Sequence, residues 1–167
     1  MSSERTLDAT DARILLALAA DPRATVVALA EQLSLSRNTV QARVVRLEQN
    51  GALGSFERRI DPKALGAPLT VFVTARVTQN QLAEVSAALA DIAEVVEVFG
   101  LSGEPDLLVR MVATDAEDLY RIAGQVLAIP GIERTTTALA MRELVPHRLT
   151  PLLLRKAGNG SHTPRPS

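Results

Sequence analysis

Residues 25–50 read TVVALAEQLSLSRNTVQARVVRLEQN, and this stretch decides the fold of the first third of the chain. Thr25 is suited to begin one helix, and Ser36 to begin a second after the short link Ser34-Leu35. Asn50-Gly51 supplies a left-handed stop for the second helix. Two helices joined by so tight a turn predict a helix-turn-helix. The residues expected to form its shared core are Leu29, Leu33, Leu35 and Val40, with the small Ala30 at the crossing of the helices and Val44 and Leu47 also turned inward.

The segments on either side of this stretch complete a small domain. An earlier helix is expected to begin at Asp8, to turn Ile14, Leu15 and Leu18 inward, and to end at Asp21-Pro22. After the second helix, residues 53–60 alternate weakly and predict a small β-ribbon. The sequence therefore predicts three helices, the last two forming the helix-turn-helix, followed by a small β-ribbon.

The start of the second predicted helix exposes side chains that can read DNA. Arginine can pair bidentately with guanine, and asparagine or glutamine with adenine, while a helix N-terminus favours a nearby phosphate. We expect contacts to DNA from Ser36, Arg37, Asn38, Thr39 and Gln41, and contacts to backbone phosphates from Arg43, Arg46, Arg58 and Arg59. The alternative interpretation is a three-helix bundle whose arginines serve only solubility.

The charge distribution agrees with one site for a polyanion. The whole chain of 167 residues has a net charge of −1, but residues 37–59 carry five arginines against two glutamates. A near-neutral chain with one basic segment favours a polyanion at that place only. A charged run is more often a solvated surface, so this signal is weak by itself.

Residues 69–150 follow a different pattern. Strands are expected at 69–77, 94–101, 106–113 and 132–141, and helices at 80–90 and from a Thr114/Glu117 capping box to Pro130-Gly131. The order βαββαβ predicts a ferredoxin-like α+β domain with both helices on one face of a four-stranded sheet. Because Phe72, Phe99 and Leu101 are apolar, we expect the other face to form a dimer.

Composition excludes several classes of protein. An apolar fraction of 47% is too high for a disordered chain, and the absence of cysteine excludes disulfides and cysteine nucleophiles. The longest apolar run, residues 14–20, is too short to cross a membrane, and residues 1–13 lack the features of a secretory signal. We therefore expect a cytoplasmic protein that does not bind a membrane.

Enzymatic chemistry has little support in the sequence. His147 and His162 lack a serine or aspartate at a suggestive spacing, and no glycine-rich phosphate loop follows a strand. The acids at 115, 117 and 118 are explained by a helix start. We predict no catalytic residues, no metal site and no cofactor.

The motifs together resemble those of the Lrp/AsnC (feast/famine) transcription regulators. The resemblance spans residues 7–150 and rests on five segments: LDATDARILLALAADPRAT (7–25), LAEQLSLSRNTVQARVVRLEQNGAL (29–53), IDPKALG (60–66), GLSGEPDLLVRM (100–111) and IPGIERTTTALAM (129–141). It implies a DNA-binding domain joined to a domain that dimerises, assembles further, often to an octamer, and binds an effector, usually an amino acid, at subunit interfaces.

The resemblance also implies the position of the effector site. The family's Gly-x-x-Asp turn between two strands matches Gly103-Glu104-Pro105-Asp106, and the last strand contributes a second wall. A glycine lets a ligand approach the backbone, and a carboxylate can pair with an α-ammonium group. The implied effector residues are Ser102, Gly103, Glu104, Asp106, Thr137 and Leu139, with a small Ala138 where several relatives have an aromatic residue. The alternative is that this turn only joins two strands.

These observations predict four segments. They are a winged helix-turn-helix at 1–60, a hinge at 61–68, a ferredoxin-like domain at 69–150, and an extension at 151–167 with a disordered tail from Ala157. The function expected is sequence-specific, effector-modulated regulation of transcription from double-stranded DNA. Two alternatives remain. One is an architectural DNA-binding protein without ligand response. The other is a relative of the tetrapyrrole decarboxylases, which depend on histidines that residues 61–146 lack.

Overall fold

The computed structural model describes residues 7–158 of the chain, which fold as two compact units. The first unit contains the described residues up to Arg58 together with those from Val145 onward, and the second contains Arg59–Leu144. No helix in residues 7–158 is both long and apolar enough to span a bilayer.

The first unit is built on three helices, α1 (Ala9–Ala20), α2 (Val26–Leu33) and α3 (Arg37–Gln49). Each begins at the residue expected from the sequence, because the side chains of Asp8, Thr25 and Ser36 each accept a hydrogen bond from a backbone N–H in the first turn. The apolar sides of the helices meet in one core. Its buried members are Ile14, Ala17, Leu29, Ala30, Leu33, Val40 and Leu47.

The turn between α2 and α3 is fixed by one left-handed residue. Ser34 has φ 56° and ψ 45°, and the next N–H, that of Leu35, donates to the carbonyl of Ala30 at 2.9 Å. Glycine adopts this conformation at lower cost, so a serine here is unusual. The turn directs the chain into α3 after only three residues.

Two expectations for the first unit were wrong. Residues 53–60 do not form a β-ribbon: Phe56–Arg59 is a short 3₁₀ helix, because the local bond from the N–H of Arg58 to the carbonyl of Ser55 closes a turn and no strand pairs with this segment within residues 7–158. Ala157, placed in the predicted disordered tail, belongs to a helix α6 (Thr150–Gly158) that packs against α1. Gly158, the next residue of that tail, is the last residue of α6, and residues 159–167 lie outside the described residues.

The second unit has the expected ferredoxin-like topology. Its strands are β1 (Leu69–Val77), β2 (Val95–Gly100), β3 (Leu107–Ala113) and β4 (Ile132–Leu139), and its helices are α4 (Leu82–Ala90) and α5 (Ala116–Leu127). The strands form one antiparallel sheet in the order β2-β3-β1-β4. Alternate residues of β1 and β3 are buried with residues of both helices. These core residues are Val71, Val73, Ala75, Val77, Val85, Leu89, Leu107, Val109, Met111, Ala113, Ile122 and Val126.

The cap of α5 differs from the prediction. Asp115, not Thr114, is the N-cap, and its carboxylate accepts from the N–H of Asp118 at 2.9 Å. The carboxylate of Asp118 accepts in return from the N–H of Thr114 at 3.0 Å. The Thr114/Glu117 capping box is therefore wrong by one residue, because an aspartate caps a helix at least as well as a threonine does.

The opposite face of the sheet carries apolar side chains in solvent. Phe72 lies in the middle of β1, paired in register with Arg110 on one side and Ala138 on the other. Phe99 of β2 pairs with Leu108 of β3. Phe72 and Phe99 are 37% and 47% exposed, which is high for phenylalanine in a folded domain.

Candidate nucleic-acid interface and effector cleft

The N-terminus of α3 presents its predicted DNA-contacting residues together. The hydroxyl of Ser36 accepts from the N–H of Thr39 at 3.1 Å and lies 2.8 Å from the hydroxyl of Thr39. Val40 is fully buried, which fixes the rotation of the helix. The polar residues left exposed on the first turns are Ser36, Arg37, Asn38, Thr39 and Gln41.

The two arginines further along α3 have protein partners. Arg43 Nη1 lies 2.6 Å from Asp8 Oδ2 and 2.8 Å from Asp11 Oδ1, and Arg46 Nη2 lies 2.6 Å from Asp11 Oδ2. The hydrogen bonds to Asp8 and Asp11 raise the pKa of Arg43 above its ordinary value. Both arginines are therefore tied to the first turn of α1, which the sequence pattern did not predict.

The remaining predicted phosphate contacts are on a separate segment. Arg58 and Arg59 lie on the 3₁₀ helix Phe56–Arg59, after α3 has ended, and both are exposed. Exposed guanidinium groups on a short helix are suited to phosphate contacts, because these contacts do not depend on which base is present.

The loop between β2 and β3 shapes an open cleft at one end of the sheet. Gly103 has φ +104°, a conformation that favours glycine. Asp106 is held by β1: its N–H donates to the carbonyl of Ala75 at 3.0 Å, and its Oδ2 accepts from the N–H of Val77 at 2.8 Å. The cleft has a volume of about 570 Å³.

Charged side chains from three strand ends meet in this cleft. Arg76 of β1 lies 2.9 Å from Glu104 of the loop and 3.5 Å from Glu133 of β4. Thr78 donates its hydroxyl hydrogen to Glu133 at 3.1 Å. The antiparallel register brings these residues together from distant parts of the sequence, and Arg76, Thr78 and Glu133 were not among the predicted effector residues.

The structure separates the two predicted walls of the effector site. Gly103, Glu104 and Asp106 line the cleft. Thr137 and Leu139 pair in register with Val73 and Val71, further along the sheet from the cleft, and they are not among the residues that line it. Ser102 is exposed in the loop.

Within residues 7–158 no group of three or more histidine, cysteine, aspartate or glutamate side chains is arranged to hold a metal ion. His147 is exposed, and His162 lies outside the described residues.

Two family profiles match successive parts of the chain. The AsnC-type helix-turn-helix domain matches residues 7–48, and the Lrp/AsnC ligand binding domain matches residues 70–150. The chain is 29% identical over 136 residues to the HTH-type transcriptional regulator FL11 of Pyrococcus horikoshii, with 81% of this chain and 90% of that protein covered. It is 33% identical to the HTH-type transcriptional regulator AldR of Mycolicibacterium smegmatis, with 84% of each chain covered.

Solved structures have the same fold. A transcriptional regulator of Neisseria meningitidis in complex with L-Met superimposes with a TM-score of 0.74 at 25% identity, over 88% of this chain and 99% of that one. The feast or famine regulatory protein of M. tuberculosis complexed with L-methionine gives a TM-score of 0.75 at 30% identity. The match covers 86% of this chain and 97% of that one. The matched domains are those of transcription regulators and not of enzymes. The chain belongs to the Lrp/AsnC family of transcriptional regulators, with a DNA-binding helix-turn-helix followed by the family's ligand-binding domain.

Proposed function

We propose that this regulator recognises specific DNA sequences and that an amino acid bound near the Gly103–Asp106 loop changes its affinity for DNA. The observation that carries the DNA part is the exposed first turn of α3, where Arg37, Asn38 and Gln41 lie together beyond the Ser36 cap. Their side chains have the donors and acceptors that distinguish guanine and adenine in the major groove. Ser36 and Thr39 lie at the helix N-terminus, which suits a phosphate.

Sequence-independent affinity comes from other cations in this proposal. Arg58 and Arg59 contact backbone phosphates and position α3 without reading bases. Affinity for DNA falls as the salt concentration rises. Each phosphate contact makes the slope of log affinity against log salt concentration steeper by about 0.9. Replacing Arg58 with alanine should therefore weaken binding to all sequences alike.

The working unit is a dimer that joins through the open face of the sheet. Phe72 and Phe99 are exposed there, and burying them against a second copy removes apolar surface from water. A two-fold dimer places two α3 helices on half-sites one or more helical turns apart. Further assembly to an octamer is what family membership suggests.

The effector part rests on the cleft and on two relatives. Arg76 can hold a carboxylate, and Glu104 can hold an ammonium group, so the cleft has partners for both charged groups of an amino acid. Two related regulators of known structure contain L-methionine. The effector alters DNA affinity only to the extent that it binds one arrangement of subunits more tightly than another.

Two measurements test this function. Sequencing genomic fragments that co-purify with the protein should give a pseudo-palindromic motif. Titrating the amino acids one by one, with thermal unfolding and particle mass as readouts, should identify at least one that raises the melting temperature and changes the assembly. DNA binding without a motif and without any amino-acid response would instead indicate an architectural protein.

A further inference from the structure

Four charged residues join the start of α1 to the middle of α3. We call Asp8, Asp11, Arg43 and Arg46 the carboxylate clasp. Three N–O distances of 2.6 to 2.8 Å connect its members. Asp11 is the centre of the clasp, because its carboxylate accepts from Arg43, from Arg46 and from the backbone N–H of Asp8.

The clasp cannot release its arginines at low cost. The side chain of Asp11 is 1% exposed, so its charge depends on these partners for the stabilisation that water would otherwise give. Arg43 is also mostly covered, with 25% of its side chain exposed. If the Arg43 side chain moved to a DNA phosphate, the buried carboxylate of Asp11 would lose one of its two guanidinium partners.

The position of the clasp on α3 separates it from the proposed base-reading residues. An α-helix turns about 100° per residue, so Arg37 and Gln41 lie about 40° apart on one flank. Arg46 lies about 180° from Arg37 around the helix axis, on the flank that faces α1. The residues proposed to read bases and the arginines of the carboxylate clasp therefore lie on different flanks of α3.

We propose that Asp8 and Asp11 act as internal substitutes for phosphate: they hold Arg43 and Arg46 away from DNA and thereby lower affinity for sequences that are not targets. A carboxylate and a phosphate both offer paired anionic oxygens to a guanidinium group. Free arginines on α3 would strengthen binding to every duplex equally, because phosphate contacts carry no sequence information. The clasp also fixes α3 against α1, so Asp11 is a positioning residue for Arg37 and Gln41.

The test measures binding to a random-sequence duplex at several salt concentrations. Asp11→Asn removes the charge but keeps an oxygen that can accept from the N–H of Asp8. It should tighten binding to the random duplex several-fold at low salt and steepen the log–log salt slope by about one or two. Asp91→Asn, in the second unit, is the control, because it makes the same change in net charge and should leave the slope unchanged.

Arg43→Ala gives the second arm of the test. If the clasp holds Arg43 off DNA, this variant has the wild-type salt slope. A slope flattened by about one would show that Arg43 contacts a phosphate and would overturn the proposal. So would an Asp11→Asn protein that loses affinity for random and target duplexes alike without a steeper slope.

If Asp11→Asn does not fold, Asp8→Asn decides the question. Asp8 is half-exposed, and asparagine is a good N-cap, so this variant should retain α1. It should steepen the slope by up to one. The random-duplex measurements do not require that Arg37 and Gln41 read bases, so they can fail or succeed independently of the sequence-specific function.

Discussion

The carboxylate of Asp106 accepts a 2.8 Å hydrogen bond from the backbone N–H of Val77. The last residues paired between β1 and β3 are Ala75 and Leu107, so Val77 lies two residues beyond the end of that ladder. The side chain of Asp106 takes the place of the next strand carbonyl. The aspartate of the Gly-x-x-Asp turn is thus a structural anchor that ties the loop to β1.

Replacing Asp106 should separate this anchoring role from charge. Asp106→Ala leaves the N–H of Val77 without its acceptor in a mostly buried position, so we expect a loss of about 1–3 kcal/mol in the free energy of unfolding. Asp106→Asn keeps an acceptor oxygen and should cost less than half as much. Urea unfolding measures both. Equal losses would contradict the anchoring role.

Gly131 and Gly124 form a matched pair for a second prediction. Gly131 has φ +96°, and a Cβ there would lie 3.0 Å from Val85 Cγ2 in the core and 2.5 Å from Gln81 Oε1. Gly131→Ala should destabilise the second unit by about 1–3 kcal/mol. Gly124, in α5, has open space around it, and alanine there should stabilise by roughly 0.5–1 kcal/mol. Thermal unfolding of the two variants should shift in opposite directions.

Acid should weaken the first unit through Asp8. Partial burial raises the pKa of Asp8, but hydrogen bonds from the Arg43 side chain and the Asp11 N–H outweigh burial and hold the pKa below its ordinary value. A carboxyl with a depressed folded-state pKa contributes stability above its unfolded pKa of about 3.9 and loses it as pH falls through the folded value. We therefore expect the free energy of unfolding, measured between pH 7 and 2, to fall less steeply below about pH 4 in Asp8→Asn than in the unmodified protein. An unchanged profile would contradict the shift.

The cleft should prefer a cationic amino acid. It has three carboxylates, those of Glu104, Asp106 and Glu133, against the single guanidinium of Arg76. An extra positive charge on the effector relieves this excess, so arginine should bind more tightly than its neutral isostere citrulline, by roughly 3- to 10-fold at low salt. Glu104→Gln should reduce that ratio. Calorimetry with equal affinities would contradict the preference, and binding of no amino acid would contradict the effector role.

Local rules predicted most of the fold. The side chains of Asp8, Thr25 and Ser36 begin their helices as expected, and the alternation in 69–77 gave β1 its observed bounds. The β-ribbon predicted at residues 53–60 was wrong because a weak alternation does not reveal whether a partner strand exists. Helix α6 was missed because its place depends on packing against α1, more than a hundred residues away.

The candidate site could be predicted only in part. Ser36 to Gln41 are consecutive, so helix geometry alone groups them. The pairing of Asp11 with Arg43 and Arg46 depends on how α1 crosses α3, which sequence spacing does not give. The cleft joins Arg76 to Glu133 through the bulged register of β1 and β4, a relation that no local motif encodes.

Sequence-specific reading by α3 is most directly tested by comparing Arg37→Ala/Gln41→Ala with Gln49→Ala in competition between target and random duplexes. Gln49 is exposed at the other end of the same helix. Each bidentate base contact is worth about 1–3 kcal/mol, so the double variant should lose roughly 30-fold or more of the preference for target DNA, while Gln49→Ala keeps it. A double variant with an undiminished preference would show that the first turn of α3 does not read the DNA sequence.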